Sequence, residues 1–456
     1  MQAGAFRRIG PCLAMALVAP VVWSAEPARA IDAHLRRLHA RGAFSGAIVV
    51  SEKGRVVYEG AFGRADRERG VPLTLASPVD GGSLAKTFTA ASLLALAGEG
   101  RLGLDEPARR YLPELPYDLT VRQLFTHTSG LPDYDWFEPL LASDEVRTTL
   151  RWLELLRDRR PALAMTPGQA FSYSNVGFDL AVLVVERITG RPFEAFLRER
   201  YFVPLGMTAS FIRPVRLTAF EGVRTRGYRR VGGRWELFDA FDLEGFYGGG
   251  NVYASARDLA RWNEAWIRKP PLAAPMLEAG LTPVRLTEGE SGLTLLNLYR
   301  SPDGTRFWYH GHHQGFHDTI WRDLARERSI VFVSNVTIGA DLQSGLVPDV
   351  VALLDGGTPA PPPRWMPLTE EELPGVQGIW TVPGVGDVEI TPRSGGIQVR
   401  HATGVRYALF RVEPAAFYAP GLEVWLGFDR DARGQVAGLV WRTLMGSTRG
   451  TRPPRH

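Results

Sequence analysis

Two strand pairs at opposite ends of a long stretch constrain this chain's fold more than any other feature. The stretch "FSGAIVVSEKGRVVYEGAFG", residues 44–63, alternates apolar with small or polar residues around the turn "SEKG" and reads as a β-hairpin. A matching pair, "DTIWRD" and "SIVFVSN" within 318–335, is joined by the charged turn "LARER". Between them, "GFDLAVLVVERITG", "PFEAFLRERYF" and "ARDLARWNEAW" carry apolar residues at helix spacing. The simplest packing joins strands from both ends in one antiparallel sheet flanked by helices, with a helical region inserted between them and a helix over 343–354 closing the domain. This is an α+β layout within the broad α/β class.

The proline-rich run "GGTPAPPPRWMP", 356–367, reads as a linker. Beyond it come short alternating runs, "VRYALFRV", "EVWLGFD" and "QVAGLVW", with turns "RSGG" and "DARG". They predict a separate small β-domain over 368–456, barrel-like in form. No internal repeat is visible.

The first thirty residues are set aside as an export signal. Arg7 and Arg8 precede an uncharged run from Ile9 to Val22, followed by small residues suited to cleavage near Ser24, Ala25 or Ala30. The run is too short to span a bilayer. Cys12, the only cysteine, lies inside this segment, so the exported chain carries no disulfide, cysteine nucleophile or cysteine metal ligand. The expected location is periplasmic or secreted, with no integral membrane segment once the signal is removed. The remaining domain runs from 31 to 355.

The charge pattern argues against polyanionic partners. Fifty-three basic residues face 49 acidic ones, and the two signs are interspersed, as in "ADRERG" and "LRERY". No basic stripe for nucleic acid and no polybasic membrane patch is present.

Only three of the basic residues are lysines: Lys53, Lys86 and Lys269. Lys53 sits in a turn and Lys269 in a proline-flanked loop, whereas Lys86 is embedded in "GGSLAKTFTAASLLALAGEG", residues 81–100. Arginine stays protonated, but a lysine can lose its proton when stripped of water, so a position that needs a neutral amine has to be lysine. Ser83 stands three residues earlier. If a helix starts there, the two side chains share a face one turn apart, and the amine can take the hydroxyl proton. The helix N-terminus adds free N–H groups for an oxyanion. A bare Ser-x-x-Lys spacing is also what an N-cap serine and a snorkelling lysine produce, so neighbouring motifs must decide.

Those motifs are present in order: "GSLAKTFTA", "LTVRQLFTHTSGLPDY", "PGQAFSYSNVGFDLAVLVVERITG" and "YASARDLARW". Together they resemble the serine β-lactamase and penicillin-recognising enzyme family, in its class C-like branch, which includes D-aminopeptidases, D-alanyl-D-alanine carboxypeptidases and esterases. The resemblance covers about residues 31–355 and implies a β-lactamase-like fold. It makes Ser83 the nucleophile and Lys86 its general base. "YSN" matches the family's Tyr-x-Asn element, so Tyr173 becomes the second proton-transfer group and Asn175 the holder of the substrate's acyl side chain. His127, in the loop edging the cleft, is read as structural.

The family's third element is a triplet ending in glycine on the strand facing the nucleophile. In "WYHGHHQGFHD", 308–318, a gapless alignment on "QGF" gives Tyr309, His310 and Gly311; a one-residue shift starts at His310 and loses the glycine. In the gapless version Gly311 allows close approach of substrate, and the His312 N–H joins that of Ser83 as the oxyanion hole. Penicillin-hydrolysing members usually begin the triplet with lysine, a point charge for the substrate carboxylate. Neither Tyr309 nor His310 supplies a permanent charge, which points toward esters or amides with free amino groups.

His310, His312, His313 and His317 also invite a zinc reading, but Gln314 stands where the His-x-His-x-Asp-His signature needs aspartate and no second ligand cluster is evident. No metal and no other cofactor is expected. The function implied is a serine hydrolase working through an acyl-enzyme on a small-molecule or peptide substrate, with ester or D-amino-acid amide bonds as targets. Three alternatives stay open: a β-lactamase or D,D-carboxypeptidase, acyl transfer to an alcohol or amine, and a non-catalytic peptidoglycan or partner-binding protein on the same fold. Oligomeric state is not legible.

Overall fold

Gly46–Glu52 pairs antiparallel with its neighbour Arg55–Phe62 on one side and with Arg328–Ser334, from the far end of the domain, on the other. The register runs from Gly46 opposite Ser334 to Glu52 opposite Arg328. All seven residues of this strand are buried, and its period of two serves two cores at once. Ala47 and Val49 enter the main cluster, with Phe88, Leu94 and Trp262. Ile48 and Val50 enter a second cluster, with Ile31 and Leu35 of the helix Ala25–Ala40 and Leu346, Val350 and Leu353 of the helix Ala340–Leu354. Each buried Val, Leu, Ile or Phe among them stabilises the fold by about 1.5–3 kcal/mol through burial. The chain ends meet here because a strand apolar on both faces needs a layer on each.

In this computed structural model the described residues are 25–359 apart from 221–223, 288 and 339, together with 369 and most of 373–453. Residues 1–24 of the expected signal and 360–367 of the expected linker lie outside them. Residues 25–30 belong to the helix Ala25–Ala40, so cleavage near Ser24 or Ala25 would leave that helix whole and cleavage at Ala30 would cut it.

The central sheet has eight strands, in which Arg306–His313, Phe316–Asp323 and Arg328–Ser334 lead to Gly46–Glu52 and Arg55–Phe62 at one edge. Against it packs the helix Ala85–Gly98, buried continuously from Ala85 to Leu96. A helix apolar all round belongs in a core. Its few hydroxyls are turned onto carbonyls: Thr87 bonds Leu84, Thr89 bonds Gly248 and Ser92 bonds Phe88. Phe88 stacks on Trp262 of the helix Ala256–Arg268, with ring centroids 4.2 Å apart.

Nearer the C-terminus, eight strands from Gly378–Val382 to Gly446–Gly450 pair antiparallel in strict chain order. Thr381 in the first strand exchanges both backbone hydrogen bonds with Thr451, just past the last, at 2.8 and 3.0 Å. The sheet therefore curls back on itself around Trp380, Leu426, Leu439 and Trp441, which removes exposed edges.

Candidate active site

Ser83 lies in a short 3-10 turn, Gly82–Leu84, that runs directly into the helix Ala85–Gly98. In 3-10 geometry residues three apart eclipse one another, so Ser83 and Lys86 line up on one side of the turn. The Lys86 side chain is fully buried, and its Nζ donates to the Gly249 carbonyl at 2.6 Å, to Asn175 Oδ1 at 2.7 Å and to Ser83 Oγ at 3.1 Å. The first two partners only accept, so they fix two N–H bonds of the amine. The third direction, toward Ser83, holds an N–H when the amine is charged and a lone pair when it is neutral. That is the geometry a proton acceptor for Ser83 requires.

Tyr173 closes the other side. Its hydroxyl is 2.7 Å from Ser83 Oγ, and Lys86 Nζ lies 4.9 Å from its ring centroid. Tyr173 is 41% exposed, which puts the phenol at the mouth of the site. Behind it His127 stacks at 4.3 Å and 17°, taking the Ser174 N–H on Nδ1 at 3.1 Å. Burial, with the Lys86 charge adding to it, pushes the His127 pKa well down. The ring thus stays a neutral wall for Tyr173.

Asn175 opens the helix Asn175–Thr189, two residues ahead of the run "GFDLAVLVVERITG", from Gly177, that the sequence marks as helical. Ser174 takes the capping role, accepting from the Gly177 N–H at 3.2 Å, and this leaves the Asn175 amide free for the site. Its Oδ1 takes the lysine and its Nδ2 donates to Asp133 Oδ2 at 2.9 Å, while the Asn175 N–H donates to Asp133 Oδ1 at 3.0 Å. The partners fix which amide atom points where. One N–H of the amide remains for a substrate.

Three supporting residues were not singled out from the sequence: Asp133, Asp179 and Gly249. Asp179 accepts the Gly249 N–H at 2.8 Å and the Tyr134 hydroxyl at 2.8 Å. It sits four residues after Asn175, on the same helix face. Burial drives its pKa up to about 7, against the pull of Gly249, Tyr134 and Lys86. Burial likewise raises the Asp133 pKa, with Lys86 and the neighbouring N–H groups opposing. A lone acid in the apolar run "GFDLAVLVV" and the triple glycine at 248–250 were the available signals.

The strand Arg306–His313 crosses the Gly82–Leu84 turn that carries Ser83. A Cβ on Gly311 would run into the Gly81 carbonyl oxygen, and one on Gly82 would stand 2.8 Å from the His312 backbone N and C. Gly82 also has φ +48°, so both contact and backbone demand glycine there. The His312 main chain therefore lies beside Ser83. Tyr309 shares the buried face with Gly311, its ring 5.8 Å from that of Tyr299, and its pKa is raised first by burial and then by Tyr173 and Tyr299.

Strand alternation turns His310 and His312 to the opposite face. His310 Nδ1 pairs with Thr319 Oγ1 at 2.8 Å, and burial pushes its pKa down to about 4, so the ring is neutral at ordinary pH. Its side chain is not brought to Ser83. The His312 ring lies tilted against that of His317, centroids 4.2 Å apart, whereas His313 faces back toward the Ser83 turn and pairs with Asp80. The four histidines are thus divided between two faces, and among the described residues no three His, Cys, Asp or Glu side chains converge as metal ligands.

The Beta-lactamase family model matches residues 31–346 of this chain. The chain is similar to Penicillin-binding protein 4* of Bacillus subtilis (strain 168), 29% identical over 311 residues, covering 64% of this chain and 68% of that one. It is also similar to a D-aminopeptidase of Cereibacter sphaeroides (strain KD131), 32% identical over 247 residues, 52% of this chain and 45% of the relative. Among solved structures, SurE aligns over 94% of this chain and all of its own at 26% identity, with a TM-score of 0.65. The D-amino acid amidase from Ochrobactrum anthropi SV3 aligns over 73% of this chain and 96% of its own at 25% identity, with a TM-score of 0.58.

Proposed function

The chain belongs to the Beta-lactamase family, and from that premise we propose that it is a serine hydrolase that cleaves ester or D-amino-acid amide bonds through an acyl-enzyme on Ser83. The observation that carries this reading is the arrangement around one oxygen: Ser83 Oγ has the Lys86 amine at 3.1 Å and the Tyr173 hydroxyl at 2.7 Å. A weak nucleophile becomes effective when a base within hydrogen-bond reach is itself held in place. Here the Gly249 carbonyl and Asn175 hold the base.

The proton account balances. Ser83 gives its proton to Lys86 as Oγ bonds to the substrate carbonyl carbon, and the oxyanion is met by the N–H groups of Ser83 and His312. Tyr173 passes its proton to the departing alcohol or amine, leaving a phenolate beside the new ammonium. In the second half the phenolate takes a proton from water, whose oxygen attacks the acyl carbon. Ser83 Oγ departs and recovers its proton from Lys86.

Substrate class follows from what the third element lacks. The Tyr309 phenol is buried and the neutral His310 ring faces away, so this element presents no fixed cation to a carboxylate. The names D-aminopeptidase and D-amino acid amidase among the similar proteins support amides of D-amino acids. Asn175, with one free N–H, is placed to contact the acyl portion. Among the described residues no helix is long and apolar enough to cross a membrane; the export signal expected over 1–30 is what supports a periplasmic or secreted location. The division into a hydrolase domain over 31–355 and a β-domain over 368–456 belongs to the same proposal.

The test is a panel of p-nitrophenyl esters, D-amino-acid p-nitroanilides and a chromogenic cephalosporin, run with wild type and Ser83→Ala, alongside mass analysis after treatment with a fluorophosphonate or penicillin. A Ser83 adduct with Ser83-dependent turnover of esters or D-anilides supports the reading. Turnover that survives Ser83→Ala, or a cephalosporin as the one good substrate, overturns it.

A further inference from the structure

Asp80 is fully buried directly under the nucleophile's turn, and its two oxygens have different partners. Oδ1 accepts the Gly82 N–H at 2.9 Å; Oδ2 takes His313 Nδ1 at 2.9 Å. Gly82 is the residue before Ser83, and His313 is the residue after His312. The pair therefore links the two segments that carry the Ser83 and His312 N–H groups. These segments approach closely at two glycines, Gly311 on Gly81 and Gly82 on the His312 backbone. Such contacts prevent closer approach but do nothing to stop the strand lifting away. His313 is also the last paired residue of its hairpin, opposite Phe316, with Gln314 at φ +49° in the turn beyond. Past His313 the turn begins, and its next anchor is the Gly315 N–H on the Phe238 carbonyl at 2.8 Å, on the side away from Ser83.

We propose that Asp80 and His313 form a positioning clasp that keeps the His312 N–H aligned with the Ser83 N–H, so that acylation of Ser83 depends on the charge of His313. This rests on Ser83 being the nucleophile. The charged and titratable groups facing the pair are Glu244 and Arg213, ion-paired with each other, the buried Asp318 and Tyr253, and the neighbouring His312. Burial opposes a charged His313 ring, but Asp80, by charge and hydrogen bond, and then Glu244 outweigh it, and the His313 pKa is raised. The Asp80 carboxyl, also penalised by burial, is held below its usual range by His313 and the Gly82 N–H. The clasp is therefore charged below the His313 pKa, which lies above the ordinary imidazole value, and slackens as pH rises through it.

The experiment measures the rate of Ser83 labelling by a fluorophosphonate on the full chain from about pH 6 to about pH 9, across the imidazole range. Wild type, His313→Ala, His313→Asn and Asp80→Asn are compared, with the melting temperature of each recorded at each pH. Because the Lys86 base is common to all four, the wild-type-to-variant ratio isolates the clasp. We expect His313→Ala to label about tenfold more slowly than wild type at the acid end, the ratio closing toward one at the alkaline end. His313→Asn, which keeps a donor without the charge, should fall between them with a flatter profile. Should His313→Ala fail to fold, His313→Asn and Asp80→Asn carry the same test. A ratio that stays constant with pH, or a rate that only tracks the folded fraction, overturns the clasp. Wild-type protein that is never labelled at Ser83 overturns the nucleophile assignment instead, and the clasp with it.

Discussion

Asp179 reaches Lys86 through a single residue: it accepts the Gly249 N–H at 2.8 Å, and the Gly249 carbonyl accepts the lysine amine at 2.6 Å. Asp133 does the same through a side chain, gripping Asn175 at 2.9 Å while Asn175 Oδ1 takes the amine at 2.7 Å. Each fixed acceptor of the lysine is thus backed by a buried carboxyl one step removed. Neither carboxyl touches the amine itself; each holds in place one of the two groups that accept from it.

The Asp179 carboxyl should therefore reveal itself in stability against pH. In the fold it titrates near 7; in the unfolded chain near 3.9. Between those values the folded state holds a proton that the unfolded state has released, so the group's contribution is full at acid pH and is lost as pH rises toward 7. Asp179→Asn cannot titrate. Melting curves should show the variant gaining on wild type from about pH 4.5 to about pH 7.5; a difference that does not change with pH would contradict the assignment.

Lys86→Arg keeps the charge and removes the lone pair. A guanidinium remains protonated and cannot accept from Ser83. Loss of kcat/KM by about a thousandfold or more is expected, comparable with Ser83→Ala, because the two residues act as one unit. Circular dichroism must show the variant folded, and Lys86→Met, closer in volume, serves as its control. Catalysis surviving in Lys86→Arg would remove the amine from the role of base.

The outer frame of this site was legible because it rests on local patterns. Alternation marked the strands at both ends, and a lone lysine in an arginine-using chain marked position 86. What was not legible depends on contacts between distant segments. Asp80 meets His313 across 233 positions, and nothing near either one announces the partner. The helix start slipped from 177 to Asn175 because Ser174, within "SYSN", competes as the cap and wins. The four histidines of 310–317 read as one cluster in the sequence; only strand register shows that His313 faces the nucleophile's turn while His310 and His312 face away.

Gly82→Ala tests the contact between the nucleophile's turn and the facing strand. Position 82 has φ +48° and a His312 backbone 2.8 Å from any Cβ. Gly100 is the natural control, with φ +70° and nothing within 4 Å of a Cβ. Gly100→Ala should cost about 1–2 kcal/mol from the left-handed backbone alone. Gly82→Ala should cost more by at least about 1 kcal/mol, since backbone on both sides cannot yield cheaply. Urea midpoints measured side by side decide this, and equal losses would mean the strand is free to retreat.

Tyr173→Phe separates the two proton transfers. In the proposed mechanism the phenol donates to the leaving group and later takes a proton from water, and the two tasks differ in how much each substrate needs them. A p-nitrophenolate leaves without a proton, so acylation by a p-nitrophenyl ester should slow little in the variant. An anilide has to be protonated as it leaves, and its kcat/KM should fall by about a hundredfold or more. Hydrolysis of the acyl-enzyme lacks its base with either substrate. With the ester, then, the variant should release one equivalent of p-nitrophenol in a burst and stall, with the acyl group found on Ser83 by mass spectrometry. Equal losses on ester and anilide with no burst would place Tyr173 in binding and move the leaving-group proton to Lys86, whose Nζ is the other group within hydrogen-bond reach of Ser83 Oγ.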